Sequence, residues 1–476
     1  MTAWQNTSMS NTLTTPRGDG SPEHDDAVLG ALREALGDAV SVDHALIGAA
    51  RADQSGHVSA SDPIAVITAR SIADVQTVMR IATQHRTPVV TRGAGTGLAG
   101  GASAGGGEIV LSTLGMDRLL EVSADDELAV IQPGIINAEL NRQLERHGMW
   151  FAPDPASRAI STVGGNIATN AGGLLCAKYG VTRESVLALK VVLADGRLIE
   201  VGHRTVKGVT GLDLAALMIG SEGTLGVIVE ATVKLRQLVV GTIAVISASF
   251  PTVDEAARAA AVITASGLHP AAMELIGESA MEAIAQHLGI EHPGGTQLIV
   301  RTDGPAAEVE AAAALAIITS LGGRAELSTD PVEGERLFAV RRAFHPAMSA
   351  RGTVLIEDVC VPRSQLPAMF AAIGEIERRH GVVIPTVAHA GDGNLHPNFV
   401  FDPADGDGVP EHIWRAADEM FLAALRLGGT LTGEHGVGQL KRRWLREELG
   451  DDQLDLQRQI KAVFDPLGLL NPGKVF

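Results

Sequence analysis

His389-Ala390-Gly391-Asp392-Gly393-Asn394-Leu395-His396 sets two imidazoles around a tight turn, and Gly433-Glu434-His435-Gly436 adds a carboxylate and a third imidazole. Side chains of these types can hold a metal ion or move protons. The spacing between the two histidines matches no compact zinc signature, so spacing alone leaves a plainer reading open, two satisfied structural histidines.

A second kind of chemistry is written in glycine. Thr91-Arg92-Gly93-Ala94-Gly95-Thr96-Gly97-Leu98-Ala99-Gly100-Gly101 follows a short β-branched run, and its unshielded backbone N–H groups could converge on a phosphate. Gly95-x-Gly97-x-x-Gly100 copies a dinucleotide fingerprint, with Asp117 placed like a ribose acceptor. That fingerprint must open a helix, and Gly101, Gly105, Gly106 and Gly107 do not allow one, so a pyrophosphate loop without a following helix is the better reading. Two more segments, Pro153 to Gly173 and Gly220-Ser221-Glu222-Gly223-Thr224-Leu225-Gly226-Val227-Ile228, can also bring backbone close to a flat ligand. Three such loops exceed what turn-making needs.

The order of Arg92-Gly-Ala-Gly-Thr-Gly, Gly164-Gly-Asn-Ile-Ala-Thr-Asn-Ala-Gly-Gly and Gly220-Ser-Glu-Gly-Thr-Leu-Gly resembles the flavoproteins of the vanillyl-alcohol oxidase type. Within them it is similar to the branch of the glycolate oxidase FAD subunit, D-lactate dehydrogenase and D-2-hydroxyglutarate dehydrogenase. The resemblance runs from about residue 60 to the terminal Asn471-Pro-Gly-Lys. It implies FAD bound between two α+β subdomains of the PCMH type, beside an α+β substrate (cap) domain and a helical C-terminal segment. By the same resemblance Arg92, Gly93, Ala94, Gly95, Thr96 and Gly97 hold the pyrophosphate. Gly164, Gly165, Asn166 and Asn170 line the flavin and ribityl chain, and Gly223 and Ile228 lie along the adenine side. Pro155, Ala168, Gly173, Glu222, Gly226 and Asn471 complete the cofactor set. Some relatives tie the flavin covalently through a His or Cys in the pyrophosphate loop; this loop has neither, so non-covalent FAD is expected. Cys176, close to a flavin-lining motif, reads as a small core thiol.

The resemblance also implies that His389, His396 and Glu434 bind a divalent metal beside the flavin, zinc or manganese among the ions that such donors suit. Oxidising a 2-hydroxy acid requires loss of the hydroxyl proton and transfer of a hydride from the same carbon to flavin N5. A cation on the hydroxyl lowers its pKa, and a neutral imidazole can then take the proton. His435 is the candidate base, with a ligand role as its alternative. Next to Glu434 it would point the other way on a regular strand, so Gly433 and Gly436 are expected to make an irregular turn. Phe338-Ala339-Val340-Arg341-Arg342-Ala343-Phe344-His345-Pro346 resembles the segment that supplies an arginine for the substrate carboxylate, which implies Arg341 in that role and leaves Arg342 as a surface ion pair. Asn398 either hydrogen-bonds the substrate or caps a turn. Ile356 stands where the 2-hydroxyglutarate branch tends to carry a lysine, which favours a short monocarboxylate, D-lactate or glycolate. The alternatives are D-2-hydroxyglutarate, a redox-neutral enzyme like alkyl-glycerone-phosphate synthase, and a flavin subunit that only relays electrons. The electron acceptor is not identified and could be a partner subunit; oligomeric state stays open.

These residues must be positioned by a mixed architecture. Helical spacing marks about Asp25 to Leu36, Val42 to Ile47, Ser71 to His85 (with Ser71 and Asp74 as a capping box) and Asn137 to His147. Short β-branched runs at Ile64–Thr68, Pro88–Thr91, Ile109–Ser112, Leu128–Gln132, Leu187–Leu193 and Leu198–Glu200 read as strands. From Gly241 strands and Ala-rich helices alternate through a strand near Val354–Val361, and the chain is mostly helical from Glu411. The expected division is 1–24 disordered tail, 25–58 helical segment, 59–237 FAD-binding domain, 238–430 substrate or cap domain, and 431–476 returning to the flavin. With 476 residues, 45% hydrophobic and 20% charged, a single small domain and a disordered chain are both excluded. The net charge of −18 disfavours nucleic acid, and the one dense basic run, Lys441 to Arg446, reads as a solvated helix face. Two distant cysteines form no disulfide framework and point to the cytoplasm; no apolar run is long enough to span a membrane, and the opening stretch lacks the order of a signal peptide.

Overall fold

The computed structural model describes residues 21–476 apart from 293 and 403–407. Its first helix, Pro22–Leu36, begins inside the stretch 1–24 read as a tail, the rest of which lies outside the described residues. Ser21 sets that start by accepting the N–H of His24 at 3.2 Å, with Pro22 in the first turn. Nor is 25–58 helical throughout, because Val40–Ser41 joins a sheet, antiparallel to Ala65–Thr68.

That sheet runs, in spatial order, Val40–Ser41, Ala65–Thr68, Ile109–Ser112 and Val89–Arg92, the last three mutually parallel. Parallel strands need a crossover, and helix Ile72–His85 supplies it. Ser71 and Asp74 cap it reciprocally at 3.2 and 3.1 Å, and Val75, Val78, Met79 and Ala82 bury its inner face on Ile67, Ile109 and Leu111. Ile47 and Ala50, from helix His44–Ala50, cover the opposite face. An antiparallel five-stranded sheet follows in the order Leu119–Ser123, Leu128–Ile131, Val227–Lys234, Val186–Val192 and Leu198–Gly202.

The second half folds around an antiparallel sheet of eight strands. Seven lie in the order Arg324–Ser328, Thr242–Phe250, Thr296–Gly304, Ala272–Ile276, Thr386–His389, Asn394–Phe401 and Thr353–Ile356, and Val359–Cys360 also pairs with Asn394–Phe401. Helices Val253–Ala265, Ala307–Ser320, Leu366–His380 and Glu411–Arg426 bury one face. Strand periodicity then decides what the other face carries. Leu275, Ala388, Leu395, Phe399 and Leu355 point into the helical layer, so Glu274, Val387, His389, His396, Asn398 and Ile356 point away from it.

Two expectations need correction. The strand expected near 354–361 is interrupted at Glu357 and Asp358, both fully buried off the ladder. The C-terminal part is mostly helical as expected, in Glu411–Arg426 and Leu445–Phe464, with an irregular stretch over 427–441 between them. Lys441 is not on a solvated face: it is 1% exposed, because its ammonium is drawn in by Glu357 and Asp358, and Trp444 is buried beside it. The end of the chain returns to the first sheet, where Val89 donates to Leu469 O and accepts from Asn471 N, both at 2.8 Å. Among the described residues no helix is long and apolar enough to cross a membrane.

Candidate active site

One cavity of about 1330 Å³ runs between the first half and the open face of the eight-stranded sheet, larger than the roughly 300–1,000 Å³ of a small-ligand site. It has room for a long dinucleotide and a small substrate together. Gly93, Ala94, Gly95, Thr96, Gly97, Pro155, Gly164, Gly165, Asn166, Ala168, Gly173, Glu222, Gly223, Gly226 and Ile228 all line it. The glycines are needed for close approach: a Cβ on Gly93 would lie 2.3 Å from Thr162 Oγ1, on Gly164 2.4 Å from Pro133 Cβ, and on Gly173 2.4 Å from Asp154 O. The Thr91 hydroxyl, at the head of the first loop, lines the same cavity buried and unpartnered. A large, glycine-walled cavity with a spare hydroxyl fits the implied FAD.

Three residues expected against the cofactor lie behind the wall instead. Arg92 donates to Ala102 O and Ala49 O, bracing the back of its loop. Asn170 is the left-handed cap of helix Val163–Thr169, φ 51°, and its side chain accepts Arg183 N. Asn471, φ 45°, donates to Gly101 O and Glu222 O and so ties two cavity loops together. Each side chain is engaged by nearby backbone groups, while Asn471 Oδ1 stays buried and unpartnered. Asp117 is exposed and outside the cavity, as the missing helix after Gly100 required. Cys176 is also outside the lining, and burial pushes its thiol upward.

At one end the cavity meets the sheet. His389 and His396 stand on adjacent strands joined by Ala390–Gly393, a turn in which Gly393 adopts φ +94° with Val361 O where a Cβ would be. Glu434 reaches them from the 432–436 loop, its Oε1 3.1 Å from His396 Nε2 and 3.8 Å from His389 Nε2. All three donor atoms lie within 4.8 Å of one another. The two contacts straddle the roughly 3.4 Å edge of a tetrahedron with bonds of about 2.1 Å, so the set fits a divalent ion such as zinc. Burial would raise the Glu434 carboxyl, but the two imidazoles hold it well below the usual range. A Cβ on Gly172 would lie 2.6 Å from Glu434 Oε2, which brings this cluster against the flavin-lining loop.

His435 stacks on His396 with ring centroids 5.2 Å apart, its Nε2 3.9 Å from Glu434 Oε1 and its Nδ1 3.4 Å from Asp358 Oδ1. Burial lowers it to about 4, leaving a neutral imidazole at neutral pH. The irregular turn expected from Gly433 and Gly436 is present, with Gly436 at φ +86°. What shapes it is Asp358, whose Oδ2 accepts the N–H groups of Gly433, Glu434 and His435 at 2.7, 2.8 and 3.3 Å. Burial would raise Asp358, but His435 and Lys441 pull it down.

Arg341 lines the same end, with Nε 2.8 Å from Glu274 Oε2, while Arg342 pairs with Glu335 at the surface. Asn398 Nδ2 donates to His396 O, and its Oδ1 is buried and unpartnered. Phe338, Phe344, Ile356 and Val387 form the apolar wall. Glu274, Asp358 and Lys441 were missed from sequence. The available signal was a charged residue inside an apolar run, as in Ala272-Met273-Glu274-Leu275-Ile276.

Two family models match the chain, "FAD binding domain" over residues 63–202 and "FAD linked oxidases, C-terminal domain" over 241–475. The chain is similar to glycolate oxidase subunit GlcD of Bacillus subtilis, 39% identical over 423 residues, covering 87% of this chain and 89% of that protein. It is also similar to D-lactate dehydrogenase of Archaeoglobus fulgidus, 36% identical over 420 residues, covering 87% and 92%. Its fold is that of p-cresol methylhydroxylase, with a TM-score of 0.77 at 16% identity, over 96% of this chain and 97% of that one.

Proposed function

The chain belongs to the FAD-linked oxidase family, in the branch of glycolate oxidase subunits and D-lactate dehydrogenases, and from that premise we propose that it oxidises a short D-2-hydroxy acid, D-lactate or glycolate, to the 2-oxo acid. The observation that carries this reading is the meeting of four features at one end of the cavity: Arg341, the His389–His396–Glu434 cluster, His435 and a wall that includes Ile356. When bound, FAD accepts the hydride at N5 and a divalent cation, zinc or manganese, acidifies the substrate hydroxyl. Arg341 pairs with the carboxylate, and Asn398 Oδ1 offers an acceptor to the hydroxy-acid head. His435, its Nδ1 3.4 Å from Asp358 Oδ1, takes the hydroxyl proton on Nε2. Phe338, Ile356 and Val387 make this wall apolar, and Ile356 in place of a lysine supports a monocarboxylic substrate.

FAD is proposed to be dissociable, supported by a pyrophosphate loop without His or Cys, and acid precipitation should release it into the supernatant. The electron acceptor lies outside the chain, and a relative named as a subunit supports a partner protein in that role. A reducing compartment, the cytoplasm, is supported by two free cysteines. The decisive experiment is an anaerobic titration of the Mn(II)-loaded protein with D-lactate, L-lactate, glycolate and D-2-hydroxyglutarate, following the visible flavin band. D-Lactate or glycolate should bleach it, chelation should prevent bleaching, and His435→Ala should slow it by roughly 10²–10⁴-fold. A yellow protein that none of the four reduces leaves a redox-neutral or relay role and overturns the proposal.

A further inference from the structure

Glu274 occupies the centre of a strand whose five residues are all buried, and its side chain is wholly shielded from solvent. A carboxylate in that setting is costly unless both oxygens are engaged. They are: Oε1 is 2.7 Å from His389 Nδ1, and Oε2 accepts Arg341 Nε at 2.8 Å. The register pairs Glu274 directly with His389 across neighbouring strands, which puts both side chains on one face. Arg341 arrives from a different element, the last turn of helix Pro331–Arg342.

We propose that Glu274 is a positioning residue that couples the two halves of the site, orienting His389 for the metal and Arg341 for the substrate carboxylate through one rigid carboxyl group. This rests on the functional reading given above. With its Nδ1 proton held by Glu274, His389 presents the Nε2 lone pair toward Glu434 and the cation. With Nε engaged by Glu274, Arg341 has its two terminal nitrogens left for a carboxylate. A carboxyl group is one plane, so a change that frees one oxygen from its partner also moves the other. A purely structural ion pair would neutralise a buried charge without linking metal affinity to substrate affinity.

The test is Glu274→Gln in the holoenzyme. The amide keeps the shape but replaces one acceptor by a donor, so one partner must lose its bond. Mn(II) affinity, measured by chelator competition without substrate, should fall roughly 10–100-fold. At saturating Mn(II) the KM for D-lactate should rise at least about tenfold, the scale of one lost hydrogen bond to a charged group. Flavin content should stay near wild type, while Tm should fall, because a buried charged acceptor is replaced by an amide. A variant in which only one of the two affinities moves, or neither, overturns the coupling. If the glutamine variant does not fold, Glu274→Asp carries the same expectation, because it keeps the charge but is one methylene too short to reach both partners. Nitrogen NMR of Zn(II)-loaded wild type needs no variant: a proton on His389 Nδ1 supports the proposal and one on Nε2 overturns it. Wild type that binds no Mn(II) and is not bleached by D-lactate defeats the functional reading itself. Wild type that does both, beside an unaltered variant, defeats only this inference.

Discussion

Adjacent residues on a strand face opposite ways, yet Glu434 and His435 both line one cavity end. Asp358 makes this possible by gathering three successive N–H groups and the Thr432 hydroxyl onto one carboxylate, bending the backbone into a nest. Lys441 balances that buried charge and also donates to Leu431 O at 3.1 Å. Asp358→Asn removes the charge and half the acceptor capacity while leaving Lys441 buried. Breaking a buried pair in this way costs about 3–5 kcal/mol. Urea denaturation should show a fall of that order, partly rescued in the double variant Asp358→Asn/Lys441→Met. Equal midpoints for wild type and the single variant would mean that the nest does not organise the loop. From sequence, Asp358 and Lys441 were ordinary charged residues, because their weight comes from burial, and burial depends on the rest of the chain.

At the scale of elements, the amphipathic helices were legible and the strands that carry the site were not. Helix Ile72–His85 announces itself by its cap and its apolar stripe. Thr386–His389 is buried at every position, as is almost all of Asn394–Phe401, so neither shows the alternation by which a half-solvated strand is recognised. The glycine loops were readable for the opposite reason, since a run of residues without Cβ has meaning without knowing its neighbours. Their tolerance is correspondingly small. In Gly164→Ala the added methyl would meet Pro133 Cβ at 2.4 Å and Pro133 O at 2.7 Å, and both belong to a packed turn that cannot yield cheaply. The purified variant should carry far less FAD than wild type, read from the ratio of flavin to protein absorbance, with its far-UV circular dichroism unchanged. Full flavin occupancy would show that the turn gives way.

Across the whole molecule, the C-terminal segment fastens the two halves. Glu222 of the third glycine loop accepts Val437 N at 2.7 Å and Gly438 N at 2.9 Å, and Lys461 donates to Thr224 O and Leu470 O. Burial pushes the Glu222 carboxyl from 4.5 to about 7, and burial likewise raises Glu357, beside Lys441, to about 7. Both groups therefore hold their protons more tightly folded than unfolded. That stabilisation is complete below about 4.5 and is lost as pH rises through about 7, worth up to roughly 3 kcal/mol per group. Tm should fall between pH 5 and pH 8, and Glu222→Gln should flatten part of the slope. A wild-type Tm that climbs over this interval would show that both groups are ionised and well paired.

What the sequence by itself determined is everything that local chemistry can specify: three ordered glycine loops, capped helices, the absence of a disulfide framework, and a short set of histidines, acids and arginines able to do chemistry. A glycine's freedom, a cap and a helical stripe depend on residues a few positions away. Only the tertiary structure decided which of those side chains meet. His389 and Glu274 are 115 positions apart, and Asp358 and His435 are separated by 77, so each encounter depends on strand register and on the return of the chain end. It also decided that Arg92, Asn170 and Asn471 brace the cofactor channel from behind. A buried polar side chain goes to whichever partners the packed backbone presents, and sequence spacing carries no record of that competition.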